Sequence, residues 1–214
     1  MNACAPAAYA PIFVDDRQQI EGVGTPLLQA VEQSATRPLA PNTVRLLYLG
    51  SATTTSVFSA LQLPAPGVLL RNINAAQSMA GIVNAGASQS PFFILSVTSY
   101  GDTFAGMLSW EPSLPRDLNK LFPPYPAPVS AATTTTATTT LKVAAKAATP
   151  PPAPAQTAAF FDAVIANHDV RVYRDTAGRD VLLYGYWNRT TLIIARDAAA
   201  FSEIVGRLAT SRAQ

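Results

Sequence analysis

The stretch VRVYRDTAGRDVLLYGYWNRTTLIIARD, residues 170–197, carries the clearest structural pattern in the chain. Apolar and polar residues alternate over residues 170–175 and again towards the end of DVLLYGYW, and residues 176–179 between these two runs have the composition of a turn. Asn188-Arg189 supplies a second turn before another apolar run. The stretch therefore predicts a three-stranded antiparallel meander.

Helical spacing is predicted on both sides of this meander. Before it, one stripe carries Phe160, Phe161, Val164 and Ile165, and Asn167-His168 has the composition of a helix end. After it, Asp197 can cap a helix whose apolar residues recur at i, i+3, i+4 and i+7, namely Phe201, Ile204, Val205 and Leu208. We therefore expect helix, three-stranded meander and helix over residues 157–212.

Residues 12–122 have a similar but less regular pattern. Short apolar runs predict strands at residues 11–14 and 44–50, and MAGIV and PFFILSV predict a hairpin. Thr25-Pro26 is typical of a helix start. The predicted fold class is α+β, with antiparallel sheet and flanking helices, arranged either as two small similar domains or as one composite unit.

Low-complexity segments set the predicted domain boundaries. Residues 123–156 are rich in Pro, Ala and Thr, a composition that buries too little apolar area to offset the entropy of ordering the chain. We expect a disordered spacer there and a mobile tail at residues 1–11. Within the tail lies Cys4, the only cysteine, which is either an inert thiol or a lipidation site and which excludes an internal disulfide.

Composition excludes several classes of function. The chain has 214 residues, with 15 Lys and Arg against 13 Asp and Glu, and this net charge of +2 gives no basis for nucleic-acid binding. No apolar run reaches the roughly 20 residues of a membrane-spanning helix. The predicted location is either cytoplasmic or extracytoplasmic with an anchor outside this sequence.

The segment from Gly101 to Gly106 has the spacing of a phosphate-binding loop but not its chemistry. A Walker loop needs Lys and then Ser or Thr after the second glycine, and Met107-Leu108 follow here. The acidic Asp102 would also repel a phosphate at that helix start. We therefore predict a structural joint between a strand and a helix.

Catalytic patterns are scarce, and we predict no enzyme, no cofactor and no metal site. His168 is the only histidine, and no G-x-S-x-G elbow is present. A hydrolase would have to use Glu111 with Asp102 or Asp117, which requires two carboxylates that converge across a cleft.

Two groups of residues are candidate binding sites. Trp110 and Glu111 could stack on and hydrogen-bond a small ligand or glycan, or they could simply end a helix. Four aromatic residues of the C-terminal strands form the candidate protein-interaction surface, namely Tyr173, Tyr184, Tyr186 and Trp187. Strand alternation puts Tyr184 and Tyr186 on one face and Trp187 on the other, and burial against the N-terminal part is the alternative to exposure.

The segment SYGDTFAGMLSWE, residues 99–111, resembles the S-Y-x-x-x-F-A-G-M-L-x-W-E signature of uncharacterised, single-pass, membrane-anchored bacterial proteins. Members of that group end in a segment similar to residues 160–208, and the resemblance covers about residues 67–122 and 157–210. It implies an extracytoplasmic domain whose anchor lies outside this sequence, and it brings no catalytic residue.

Two functions follow as hypotheses. The first is a non-catalytic interaction or scaffold domain in a membrane-anchored envelope or surface assembly, with a protein partner and no nucleic acid. The alternative is a small-ligand or glycan-binding module around Trp110 and Glu111.

Overall fold

A computed structural model describes residues 9–50, 55–86, 88–126 and 157–211. Within these ranges the chain forms eight strands and six helices. In chain order the elements are β1 (Asp16–Ile20), α1 (Thr25–Thr36), β2 (Thr43–Leu49), α2 (Val57–Ala60), α3 (Gly67–Arg71), β3 (Ile73–Asn84), β4 (Gln89–Val97), α4 (Tyr100–Trp110), α5 (Leu114–Asp117), β5 (Ala159–Ile165), β6 (His168–Arg174), β7 (Asp180–Asn188), β8 (Thr191–Ala195) and α6 (Ala198–Ser211).

All eight described strands belong to one sheet, in the order β1-β2-β3-β4-β8-β7-β6-β5. β1 and β2 are parallel, and every other neighbouring pair is antiparallel. The two parts of the chain meet at β4 and β8, where Phe93 lies opposite Ile194. The predicted α+β class is confirmed, and the two parts form one composite sheet.

Helices cover both faces of this sheet. On one face, α1 to α5 pack their apolar residues against the sheet, with Leu27, Met107 and Trp110 among the buried side chains. On the other face, α6 packs Phe201 and Ile204 against β6 to β8. The Asp197 side chain caps α6 by accepting the backbone N–H of Ala200 at 2.9 Å, as predicted.

The predicted helix at residues 160–165 is wrong, because this segment is strand β5. Ala166 and Asn167 both have positive φ, 51° and 62°, and form a two-residue turn that reverses the direction of the chain. Ile165 therefore pairs with His168, and all of β5 pairs with β6. The paired apolar residues of FFDAVI fit a helical stripe and a strand equally well, so periodicity alone could not separate the two.

The first strand also differs from its prediction. Residues 11–14 precede the sheet, and β1 is the polar stretch Asp16–Ile20. The buried guanidinium of Arg45 donates to the carboxylate of Asp16 at 2.7 Å, which ties this polar strand to β2. The strand prediction for residues 11–14 depended on apolar burial, whereas β1 is held to the sheet by this ion pair.

The first four residues of the predicted spacer, 123–126, belong to the part of the chain that the structure describes. The Tyr125 ring lies against the guanidinium groups of Arg179 and Arg196, at 4.8 and 4.4 Å from its centroid. Arg196 also donates to the carbonyl of Pro123 at 2.8 Å. Residues 123–126 therefore pack on the C-terminal strands, whereas the rest of the predicted spacer, as well as Cys4, lies outside the described residues.

Substitution by alanine at two glycines is expected to change the free energy of unfolding in opposite directions. Gly101 lies within the first turn of α4 with no atom within 4 Å of an added Cβ, so Gly101→Ala is expected to raise the free energy of unfolding by up to about 1 kcal/mol. At Gly81 in β3, an added Cβ would lie 2.6 Å from the Arg45 carbonyl oxygen and 2.7 Å from the Phe92 ring, so Gly81→Ala is expected to destabilise by about 1–3 kcal/mol. Urea unfolding of both variants measures the two effects, and equal shifts would contradict this packing.

Candidate functional site

Trp110, the first member of the predicted ligand pair, lies in the core at the end of α4. Its side chain is only 1% exposed. The indole N–H donates to a carboxylate oxygen of Asp117 at 2.9 Å, which fixes the corner between α4 and α5. A sugar would need an exposed ring face, and Trp110 offers none.

Glu111, the second member, is held by side chains from two strands. Its carboxylate accepts two hydrogen bonds from Arg171, at 2.7 Å from Nε and 2.8 Å from Nη2. The same carboxylate accepts the hydroxyl of Tyr184 at 2.7 Å, and the Glu111 side chain is 14% exposed. Glu111 therefore links the end of α4 to β6 and β7, and its oxygens are already occupied.

The protonation states of this network follow from its contacts. Hydrogen bonding to Glu111 raises the pKa of Arg171, an effect that the desolvation of the guanidinium only partly offsets. Burial raises the pKa of Tyr184, and the hydrogen bond to Glu111 adds to this shift. Arg171 is therefore cationic and Tyr184 neutral over the physiological pH range.

The carboxylates that a hydrolase would need are engaged elsewhere or far apart. Asp102 and Glu111 lie at opposite ends of α4, and nine residues of helix separate them by about 13 Å, beyond the spacing of glycosidase pairs. Burial would raise the pKa of Asp117, but hydrogen bonds from Trp110, Ser113 and Arg116 outweigh it and hold that pKa below its ordinary value. Asp102 and Glu111 therefore do not meet as a pair, and Asp117 holds the corner between α4 and α5.

The four candidate aromatic residues do not form one exposed surface. Tyr184 is buried at 1% exposure, as the alternative prediction had it. Half-buried Tyr173 has its ring 5.3 Å from that of Phe160. Trp187, also half-buried, lies on the α6 side and lines a cleft of about 300 Å³.

A second cleft, of about 340 Å³, lies between the start of α4 and the β5–β6 hairpin. Its lining includes Tyr100, Phe104 and Tyr186, whose rings contact one another, and the acidic residues Asp162 and Asp169. Sequence reasoning singled out only Tyr186 of these. The i, i+4 spacing of Tyr100 and Phe104 indicates that they share one helix face. Their contact with Tyr186 of β7 could not be predicted, because Tyr186 is more than eighty residues away in the sequence.

The outer edge of the sheet is formed by β5. Val164 is 70% exposed and Phe161 44% exposed, both unusual for large apolar side chains. Ile165 and His168 flank a two-residue turn, so their backbone groups hydrogen-bond to each other. Every second residue of β5 from Ile165 back to Ala159 therefore also hydrogen-bonds to its partner on β6. The backbone groups of Phe160, Asp162 and Val164 therefore point away from β6, and no other described strand pairs with them.

The opposite edge of the sheet is built differently. β1 carries Asp16, Arg17, Gln18 and Gln19, and such polar and charged residues discourage pairing with another chain. β5 has the sequence AFFDAVI, with no Lys, no Pro and a single charge. Of the two edges, β5 is the one with the composition of a pairing strand.

In the part of the chain that the structure describes, no helix has the length and apolarity needed to cross a membrane. The same residues include no group of three or more His, Cys, Asp or Glu side chains that could hold a metal ion. No family model matches the chain, and comparisons with curated proteins and with solved structures also find no match.

Tyrosine ionisation is expected to destabilise the protein above about pH 10. Burial raises the pKa of Tyr186 to about 12, and burial also raises that of Tyr184. Because each phenol holds its proton more tightly when folded, its contribution to stability is complete below the unfolded pKa of 10.0 and is lost as pH rises through the folded pKa. Urea unfolding with phenolate absorbance, from pH 8 upward, tests this, and Tyr186→Phe should reduce the loss. Ionisation of every tyrosine near pH 10 in the folded protein would contradict it.

Proposed function

We propose that this chain is a non-catalytic interaction domain of an extracytoplasmic, membrane-tethered assembly, and that its partner adds a strand to β5. The placement outside the cytoplasm is supported by the resemblance of residues 99–111 and 160–208 to membrane-anchored bacterial proteins. The mode of binding is supported by the β5 edge.

One observation carries the proposal: β5 combines unpaired outward backbone groups with exposed apolar side chains. Strand addition obtains its affinity from main-chain hydrogen bonds and its specificity from alternate side chains. Phe160, Asp162 and Val164 offer the outward main-chain groups, and Val164 and Phe161 offer exposed apolar area on the two faces. A partner strand would bury that area while continuing the sheet.

Contacts behind β5 join it to the rest of the fold, which suits a binding edge. β6 and β7 lie behind β5, and Arg171 joins Asp162 of β5 to Glu111 of α4, with Nη1 at 2.9 Å from the Asp162 carboxylate. An edge that is already ordered loses little conformational entropy when a partner strand pairs with it. The contacts of Trp110 and Glu111 disfavour the alternative, a glycan site at those two residues.

Photo-crosslinking tests which surface contacts a partner. The full-length protein in its native membranes would carry benzoylphenylalanine in place of Val164 or, as a matched control, in place of the exposed Gln33 on α1. A discrete crosslinked protein is expected from position 164 and not from position 33. Absence of a crosslink from 164, or the same product from both positions, would overturn the proposal.

The backbone contribution is tested with the crosslinked segment of that partner as a synthetic peptide. Val164→Pro deletes an outward N–H while sparing the ladder to β6, and it should weaken binding by at least about tenfold. Val164→Thr keeps the N–H and the strand propensity and should bind within about threefold of the original protein. Circular dichroism confirms that both variants are folded, and equal affinity of the two would exclude strand addition.

A further inference from the structure

The cleft between α4 and the β5–β6 hairpin has a lining that suits a positively charged group. We infer that it binds a primary ammonium group, carried by a lysine side chain or by a free polyamine. This goes beyond the proposed function, because it concerns the cleft and not the outward backbone of β5, and either can fail alone.

Three aromatic rings form one side of this cleft. The rings of Tyr100 and Phe104 are stacked, 5.8 Å apart and inclined by 10°. The Tyr186 ring lies edge-on to that of Tyr100, with 4.8 Å between their centroids. It is tilted against the Phe104 ring, at a centroid distance of 6.4 Å. Its hydroxyl donates to Thr103 at 2.9 Å, which fixes the ring. Tyr100 is 41% exposed, so part of this aromatic cluster is open to an ammonium group.

Carboxylates supply the charge of the cleft. Asp162 and Asp169 line it and are exposed, the Asp162 side chain by 89%. Arg171 also lines it, but its guanidinium is held by Glu111 on one side and by Asp162 on the other. Two carboxylates and one guanidinium line the cleft and leave an excess of one negative charge (two minus one), and Glu111, outside the lining, pairs with that guanidinium. An anion would be repelled, whereas a cation gains from both the carboxylates and the rings.

The size of the cleft limits the ligand. About 340 Å³ lies at the lower end of the range for small-molecule pockets, which is room for an amine chain such as a lysine side chain. Cation–π contacts contribute about 0.5–2 kcal/mol, which corresponds to a roughly two- to thirtyfold change in affinity for each ring lost. Binding should therefore be weak and sensitive to a single ring.

Titrations monitored by NMR of the ¹⁵N-labelled protein test this inference. The probes are an acetylated, amidated Ala-Lys-Ala peptide, the same peptide with norleucine in place of lysine, and spermidine. Shifts at the amides of Tyr100, Asp169 and Tyr186 are expected with the lysine peptide or spermidine and not with the norleucine peptide. Tighter binding of the peptide would identify a lysine side chain as the ligand, and tighter binding of spermidine would identify a polyamine.

Substitutions locate the site. Tyr100→Ala and Asp169→Asn should each weaken ammonium binding by about three- to tenfold. Leu108→Ala, also exposed on α4 but outside the cleft lining, should leave it unchanged. Phe161→Ala, on the opposite face of β5 and outside the lining, should also leave it unchanged, which separates this site from the β5 edge. Equal shifts with the norleucine peptide, or no shift with either amine at millimolar concentration, would overturn the inference.

Discussion

Glu111→Ala is expected to lower the free energy of unfolding by about 2–4 kcal/mol. The substitution leaves the guanidinium of Arg171 and the hydroxyl of Tyr184 without their shared acceptor in a site that is mostly buried. Removal of one partner from a fully buried ion pair costs about 3–5 kcal/mol. The cost is lower here because Arg171 keeps Asp162 and is partly exposed. Urea unfolding, followed by circular dichroism, measures the change.

Two further variants separate the contributions to this network. Asp162→Asn removes the exposed partner of Arg171 and should cost no more than about 0.5–1 kcal/mol. Tyr184→Phe, combined with Glu111→Ala in a double-mutant cycle, should give a coupling energy of about 1–3 kcal/mol between the hydroxyl and the carboxylate. A Glu111→Ala protein as stable as the original would contradict a structural role for this carboxylate.

Trp110→Ala is expected to destabilise the protein by about 3–5 kcal/mol, the largest effect that we predict for a single substitution. It removes the largest fully buried side chain, leaves a cavity among the residues that α4 and α5 pack on the sheet, and takes the indole donor from Asp117. Thermal and urea unfolding measure the loss.

Trp110→Phe is the matched variant for this prediction. It keeps much of the ring volume but removes the donor, so it should cost less than Trp110→Ala. Its cost should include the lost hydrogen bond to Asp117, worth about 1.5–3 kcal/mol, and a smaller cavity. If Trp110→Ala unfolded at the same urea concentration as the original protein while it abolished binding of a sugar, Trp110 would be a ligand residue and not a core residue.

Glu111, Arg171 and Tyr184 also explain how the two parts of the chain stay together. The ion pair between Glu111 and Arg171 spans sixty residues of sequence, including residues 127–156, which lie between the two parts. β4 and β8 join the same parts through the sheet. The two parts are therefore joined both through the sheet and through side-chain contacts.

Strand periodicity predicted most of the sheet. The alternation of β7 correctly put Tyr184 and Trp187 on opposite faces of the sheet, which are covered by α1 to α5 and by α6 respectively. Capping by Asp197 and the apolar stripe of α6 were also confirmed. These features depend on local spacing, which is present in the sequence itself.

The failures have a common physical origin. β5 is a strand because its turn adopts positive φ at Ala166, a residue that seldom does so, and because β6 is available as a pairing partner. Trp110 and Glu111 were candidates for a ligand pair, but their partners Asp117 and Arg171 follow from tertiary packing. An acidic residue next to an aromatic one has the same sequence pattern whether it binds a ligand or links two elements of the fold, so the sequence could not distinguish these roles.

The most direct measurement of the central claim, that β5 is a binding edge, is amide hydrogen exchange by NMR with and without the crosslinked partner segment. In the free protein, the amides of Asp162 and Val164 should exchange fast while those of Phe161 and Ala163 are protected by β6. Addition of the segment should protect Asp162 and Val164. Protection confined to other surfaces, with Asp162 and Val164 still exchanging fast, would contradict the claim.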